Sequence, residues 1–181
     1  MNEVKAITDE GKLLEILIYL KSNNQRNYIL FLLGLHTGLR ISDILNLRIK
    51  DVYKKDKILI REKKTDKKRE IILTKVLKKE LNRYCNGRDP EEYILKSRQG
   101  KNKPIGRTQA YRIISDTAKK FGVSYIGCHS LRKTFGRKHY RKYGDLEELR
   151  RVFNHSNASI TSRYIGIEQE IIDTHILHLW D

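Results

Sequence analysis

The stretch Ile58-Leu59-Ile60-Arg61-Glu62-Lys63-Lys64-Thr65-Asp66-Lys67-Lys68-Arg69-Glu70-Ile71-Ile72-Leu73 decides the fold, because it is where the hydrophobic period of the chain changes. Ile58 and Ile60 alternate before Arg61, a lysine-rich run interrupts, and apolar residues resume from Ile71 to Leu73. Period-two alternation on both sides of a short polar break reads as a β-hairpin, here with a basic tip. Asp51 to Tyr53, just upstream, offers a third strand.

Outward from the hairpin, the period returns to that of helices. Following Thr8, taken as an N-cap, Leu13, Ile16, Leu17 and Leu20 mark one helical face. Tyr28, Phe31, Leu32 and Leu35 mark a second, closed by Thr37-Gly38, and a short third helix is expected from Ile41 to Leu47. Downstream, helices are expected over Lys75 to Asn86, Arg107 to Phe121, Leu131 to Tyr143, Leu146 to Phe153, Ser159 to Tyr164 and about Glu168 to Leu179. The segment from Lys96 to Pro104 reads as a loop. The expected class is mostly α with a small antiparallel β-sheet (α+β), in a single domain over residues 1–181, without repeats or low-complexity tracts.

The chain has 181 residues, with 38 Lys+Arg against 22 Asp+Glu and a formal net charge of +16. That excess calls for an anionic partner, either nucleic acid or an acidic membrane surface, and composition does not choose between them. With 39% hydrophobic residues the chain can build a core. No apolar run approaches the ~18 residues of a membrane-spanning helix, and the first ten residues are too polar for a signal peptide, so a cytoplasmic, soluble protein is expected. Cys85 and Cys128 lack C-x-x-C spacing and are expected to be free thiols. Six histidines without H-E-x-x-H or paired-cysteine spacing do not point to zinc.

Three local motifs carry chemistry. His129-Ser130-Leu131-Arg132 sets an imidazole and a guanidinium three positions apart at a helix start, where both can converge on one anion. Thr37-Gly38-Leu39-Arg40-Ile41-Ser42-Asp43 delivers Arg40 from a glycine turn, with Asp43 three positions on. His155 precedes Tyr164 by nine residues. Taken singly, each reads as an ordinary surface helix, turn or polar loop.

Taken in order, they resemble the catalytic domain of the tyrosine recombinase, or phage integrase, family. Its pattern runs T-G-L-R-x-S-E, a hairpin K-T, H-x-L-R, L-G-H and a terminal tyrosine. The resemblance covers nearly the whole chain, from Thr8 to about Ile167. It implies a site-specific recombinase, active in integration, excision or inversion within a mobile element, that cleaves and rejoins DNA through a 3′-phosphotyrosyl intermediate without metal or other cofactor. Tyr164 is then the nucleophile, His129 its proton acceptor, Arg40, Arg132 and His155 the groups that meet the phosphate, and Lys64, which directly precedes Thr65, the acid for the leaving 5′-hydroxyl. Asp43 takes the family's supporting acidic position. Lys63, Lys67 and Lys68 on the hairpin and Arg107, Gln109 and Arg112 near the start of the helix from Arg107 to Phe121 are candidates for DNA contact.

The chain departs from the pattern at Asn154, where the family has glycine before the histidine; if the backbone needs positive φ there, asparagine is the next most tolerant residue. The family's N-terminal core-binding domain is expected to be absent, which fits a stand-alone small recombinase similar to fimbrial invertases, an excised catalytic domain or a decayed remnant. The resemblance further implies double-stranded DNA as partner, a homotetramer on DNA, accessory DNA-bending proteins and a nucleoid-associated location. A terminal helix carrying Ile172, Ile176 and Leu179 is expected to pack either on a neighbouring subunit or on its own domain. A non-catalytic DNA-binding regulator with the same fold, or a type IB topoisomerase-like activity, remains the alternative.

Overall fold

The computed structural model describes residues 4–61 and 68–180. Lys63, Lys64 and Lys67 lie outside the described residues. Ten helices and one two-stranded sheet are seen among those described.

Helix α1 (Glu10–Asn23) starts at Asp9, whose carboxylate accepts from the Lys12 amide, so the cap lies one residue beyond Thr8. Helix α2 (Gln25–Thr37) is the centre of the molecule. Ile29, Leu30, Phe31, Leu32 and Leu33 are all buried, and a helix that is apolar around its circumference belongs inside a core. It packs against α1, against α5 (Lys75–Cys85) and against α7 (Cys128–Tyr143). The third helix, α3 (Ile41–Leu45), follows the Gly38 turn and ends two residues earlier than its pattern suggested.

The expected strand at Asp51 to Tyr53 is instead helix α4 (Ile49–Val52). Two β-branched residues, Ile49 and Val52, are buried three apart on one helical face, and the Asp51 carboxylate accepts from the Arg48 amide 2.7 Å away to cap the turn. Local capping outweighs strand propensity there. The sheet is the hairpin of β1 (Lys57–Arg61) and β2 (Lys68–Ile72), antiparallel, with Ile58 opposite Ile71 and Arg61 opposite Lys68. Ile58 and Ile71 point into the core while Leu59 and Ile72 face outward, the alternation of a half-buried hairpin.

Helix α6 (Arg107–Lys120) completes the main core with Ala110, Ile114 and Ala118. A second apolar cluster, built on Leu149, Phe153, Ile165 and Ile167, joins α8 (Leu146–Phe153), α9 (Ala158–Ile165) and the C-terminal half of α7. Helix α10 (Glu168–Leu177) closes the chain and buries none of its residues, although Ile171 packs against the second cluster. Leu179 falls beyond its end. Cys85 is buried, Cys128 is half-buried, and both are free. No helix among the described residues is long and apolar enough to cross a membrane.

Candidate active site

The seam between the two apolar clusters is where the three sequence motifs meet. Thr37 ends α2 with its hydroxyl donating to the Leu33 carbonyl and accepting from the Leu39 amide. Gly38 then adopts φ 60°, and a Cβ there would stand 2.5 Å from the Phe135 ring, so both conformation and space demand glycine. Leu39 is buried as the anchor of the turn, which leaves Arg40 exposed at the start of α3.

Arg132, on α7, is only 3% exposed. Its guanidinium donates to the Gly38 carbonyl at 2.6 Å and to the Phe153 carbonyl at 2.9 Å, and it stacks on the Phe153 ring with 4.2 Å to the centroid. One side chain thus ties the Arg40 turn to the end of α8. Burial pulls its pKa down to about 10, with the charges of Arg40 and Arg69 pulling the same way and Tyr164 and Asp43 opposing. It stays a cation at neutral pH. The half-buried Asp43 lies near enough to oppose that fall slightly.

Tyr164 stands near the end of α9. Its hydroxyl is 3.2 Å from Nδ1 of His129, and the rings meet edge to face. Burial pushes the phenol above its ordinary value, while the charges of Arg132 and Arg40 pull it back. His129 is held below the usual imidazole range, first by burial and then by Arg107, Arg132, Lys133 and Arg40, which favours the neutral ring.

His155 contacts the Tyr164 ring at 5.3 Å and the Phe153 ring at 5.4 Å between centroids. Its Nδ1 is engaged by the Thr161 hydroxyl at 3.1 Å. Arg150 donates to its carbonyl at 2.9 Å. Burial, Arg132 and Arg40 lower its pKa as well. Asn154 is in the left-handed region, φ 54° and ψ 49°, capping α8 where the family has glycine. The backbone there does require positive φ, and asparagine supplies it.

The structure therefore brings Arg40, Arg132, His129, His155 and Tyr164 to one place, with Asp43 beside them. Arg107, the first residue of α6, is exposed close enough to His129 to shift it; Gln109 and Arg112 are exposed further along the same helix. Lys68 opens β2, and Arg69 behind it donates to the Val152 carbonyl, tethering the hairpin to α8. Sequence reasoning had assigned no role to Phe153 or Thr161. Thr161 lies within the stretch from His155 to Tyr164, but only the fold turns α9 so that it faces the imidazole.

Residues 4–170 match the model of the phage integrase family. The chain belongs to that family. It is 45% identical over 170 residues to the probable integrase/recombinase YoeC of Bacillus subtilis (strain 168), covering 94% of this chain and 93% of YoeC. It is 30% identical over 150 residues to the tyrosine recombinase XerA of Pyrococcus horikoshii, covering 81% of this chain and 52% of that protein. Among solved structures, a crystal structure of XerA recombinase superposes with a TM-score of 0.77 at 23% identity, over 98% of this chain and 64% of that one. XerH site-specific recombinase, in a post-cleavage complex with a palindromic difH substrate, gives 0.75 at 20% identity, over 99% of this chain and 54% of that one. Apart from YoeC, this phage integrase family member spans about half to two thirds of the length of these proteins, and the shared fold is that of tyrosine recombinases.

Proposed function

We propose that this chain is a tyrosine site-specific recombinase whose catalytic domain acts on double-stranded DNA. The observation that carries the reading is the 3.2 Å contact between His129 Nδ1 and the Tyr164 hydroxyl, set beside two arginines that share one electrostatic neighbourhood. A phenol with an ordinary pKa near 10 is ~0.1% ionised at pH 7, so it needs a base at hydrogen-bonding distance. His129 takes the phenolic proton as the Tyr164 oxygen attacks phosphorus. The new O–P bond forms as the bond to the 5′-oxygen breaks, and the 5′-hydroxyl leaves with a proton from Lys64. The phosphotyrosyl bond keeps the phosphodiester energy for rejoining.

Charge that builds on the non-bridging oxygens is met by Arg40, Arg132 and Nε2 of His155. A unit-charge pair at 4 Å and an effective dielectric near 20 is worth about 4 kcal/mol before desolvation, enough for two guanidiniums to carry most of the electrostatic task. Arg107, Gln109 and Arg112, exposed on α6, offer cationic and polar groups to the DNA backbone.

Contact with a neighbouring subunit is supported by α10. Ile172 is 45% exposed and Ile176 63% exposed, so the apolar stripe is not consumed by its own domain and is available to a neighbour. The test is incubation in EDTA with nicked suicide duplexes carrying a randomised centre, followed by a denaturing gel. A covalent protein–DNA product is the expected result, and its absence counts against the assignment.

A further inference from the structure

Helix α7 presents His129, Lys133 and Arg137 at i, i+4 and i+8, a single row along the helix, and that row follows α9. His129 meets the Tyr164 hydroxyl, and Lys133 Nζ lies 5.5 Å from the centre of the Tyr164 ring. Arg137 continues the row past the nucleophile. One terminal nitrogen donates to the Gly166 carbonyl at 2.6 Å and to the Ile165 carbonyl at 3.4 Å, and the other pairs with Glu170 of α10 at 2.5 Å.

The two carbonyls belong to the last residue of α9 and to its glycine cap, where the helix no longer supplies amide partners. An eight-residue helix has little stability of its own, so the position of its last turn depends on what holds it. A cation at a helix C-terminus meets the negative end of the dipole as well as the open carbonyls. The Arg137 side chain is only 13% exposed, and its Nε is buried without a hydrogen-bond partner among the described residues, so its two terminal nitrogens fix its orientation. Gly136 lets the helices touch there: a Cβ would fall 2.6 Å from Cγ2 of Ile165 and 2.9 Å from the Phe153 ring. Glu170 is held ionised below the ordinary carboxylate range, mainly by its bond to Arg137, with Arg141 also nearby.

We propose that Arg137 is a positioning residue for the nucleophile: it holds the last turn of α9, and with it Tyr164, at the distance from His129 that proton transfer requires, and it is itself oriented by Glu170. The inference rests on the recombinase reading. It lies outside the T-G-L-R, H-x-L-R and terminal tyrosine pattern, since none of those motifs includes residue 137 or 170. Its physical basis is that Tyr164 immediately precedes the two carbonyls, so a slip of the last turn displaces the hydroxyl, and a 1 Å error at a reacting atom can cost roughly 100-fold in rate.

The experiment uses a nicked suicide duplex recovered from the randomised pool by the unmodified protein, and measures single-turnover covalent capture over a range of DNA concentrations. Arg137→Gln is expected to lower the saturating rate by roughly 30- to 100-fold while the half-saturating DNA concentration changes less than about twofold. Arg137→Lys should recover part of that rate, because one ammonium can reach the carbonyls or the carboxylate but does not bridge them as the planar fork does. Glu170→Gln should cost about fivefold alone and nothing more in the Arg137→Gln background, the non-additivity of a residue that acts through its partner.

A rate for Arg137→Gln within about twofold of the unmodified protein would overturn the inference, as would a rate loss matched by an equal loss of DNA affinity. Should Arg137→Gln fail to fold, Arg137→Lys and Glu170→Gln decide it, and unchanged rates in both would overturn it. No covalent product from the unmodified protein would overturn the recombinase reading itself and the inference with it.

Discussion

Arg132 donates to the carbonyls of Gly38 and Phe153, residues that end α2 and α8, and so clamps together the Arg40 turn and the segment that leads to His155. The guanidinium is at once a structural bolt and the charge at the centre of the site. Arg40, on the turn that Arg132 holds, is exposed.

Truncating the two arginines should therefore separate folding from chemistry. Arg132→Ala leaves two carbonyls without their partner in a buried place, and is expected to destabilise the protein by about 2–4 kcal/mol in urea denaturation. Arg40→Ala should stay within about 0.5 kcal/mol of the unmodified protein. Both should abolish detectable covalent capture. Equal stability losses would show that the clamp is not where Arg132 acts.

Asn154 occupies the left-handed region at the end of α8, and its substitution reports on how His155 is delivered. An L-residue with Cβ pays roughly 1–2 kcal/mol there, which glycine avoids. Asn154→Ala is expected to be less stable than Asn154→Gly by about 1 kcal/mol, with cleavage retained in the glycine variant. Alanine as stable as glycine at this position would contradict the account.

The pH dependence of cleavage should identify the base. Protonated His129 does not accept a proton, and burial together with the nearby cations holds its pKa below the ordinary 6.5, so the acid limb of the second-order cleavage rate should lie below that value. Arg107 is the largest charged contributor to the shift at His129, whereas His155 is shifted by Arg132 and Arg40. Removing the cation in Arg107→Ala raises the His129 pKa, so the acid limb should move to higher pH. A limb that stays in place would assign the titration to another group.

Helix α10 yields a prediction about assembly. Deleting the residues after Ile167 removes Glu170 and the exposed apolar stripe together. Single-site cleavage should lose no more than Glu170→Gln does, while recombination of paired sites should lose roughly tenfold or more beyond that. Equal losses in the two assays would defeat docking of α10 on a neighbouring subunit.

Much of this was legible in the sequence, for physical reasons. The hairpin and the long helices announced themselves through period-two and 3.6-residue patterns, and the ordered residues from Arg40 to Tyr164 gave the family. Helix α4 was missed because Ile49 and Val52 suit a strand until the Asp51 cap is seen to close a turn. The start of α1 was placed at Thr8 because threonine and aspartate are both good caps and only geometry shows Asp9 accepting the bond. Phe153, Thr161 and Arg137 were silent because they act through contacts that the fold makes between distant segments. The glycine-to-asparagine change at position 154, by contrast, was read from conformational preference alone, and the backbone there has the positive φ that the reading required.

The most direct measurement is the identity of the residue that becomes linked to DNA. Covalent complexes formed on a nicked suicide duplex can be digested with nuclease and trypsin, and the nucleotide-bearing peptide sequenced by mass spectrometry. Cleavage after Arg163 releases a peptide that begins with Tyr164 and runs through Asp181. The account predicts the nucleotide on the Tyr164 oxygen of that peptide, joined through a 3′-phosphate. A nucleotide on another residue, such as the exposed Tyr143, or a complex that still forms in Tyr164→Phe, would contradict it.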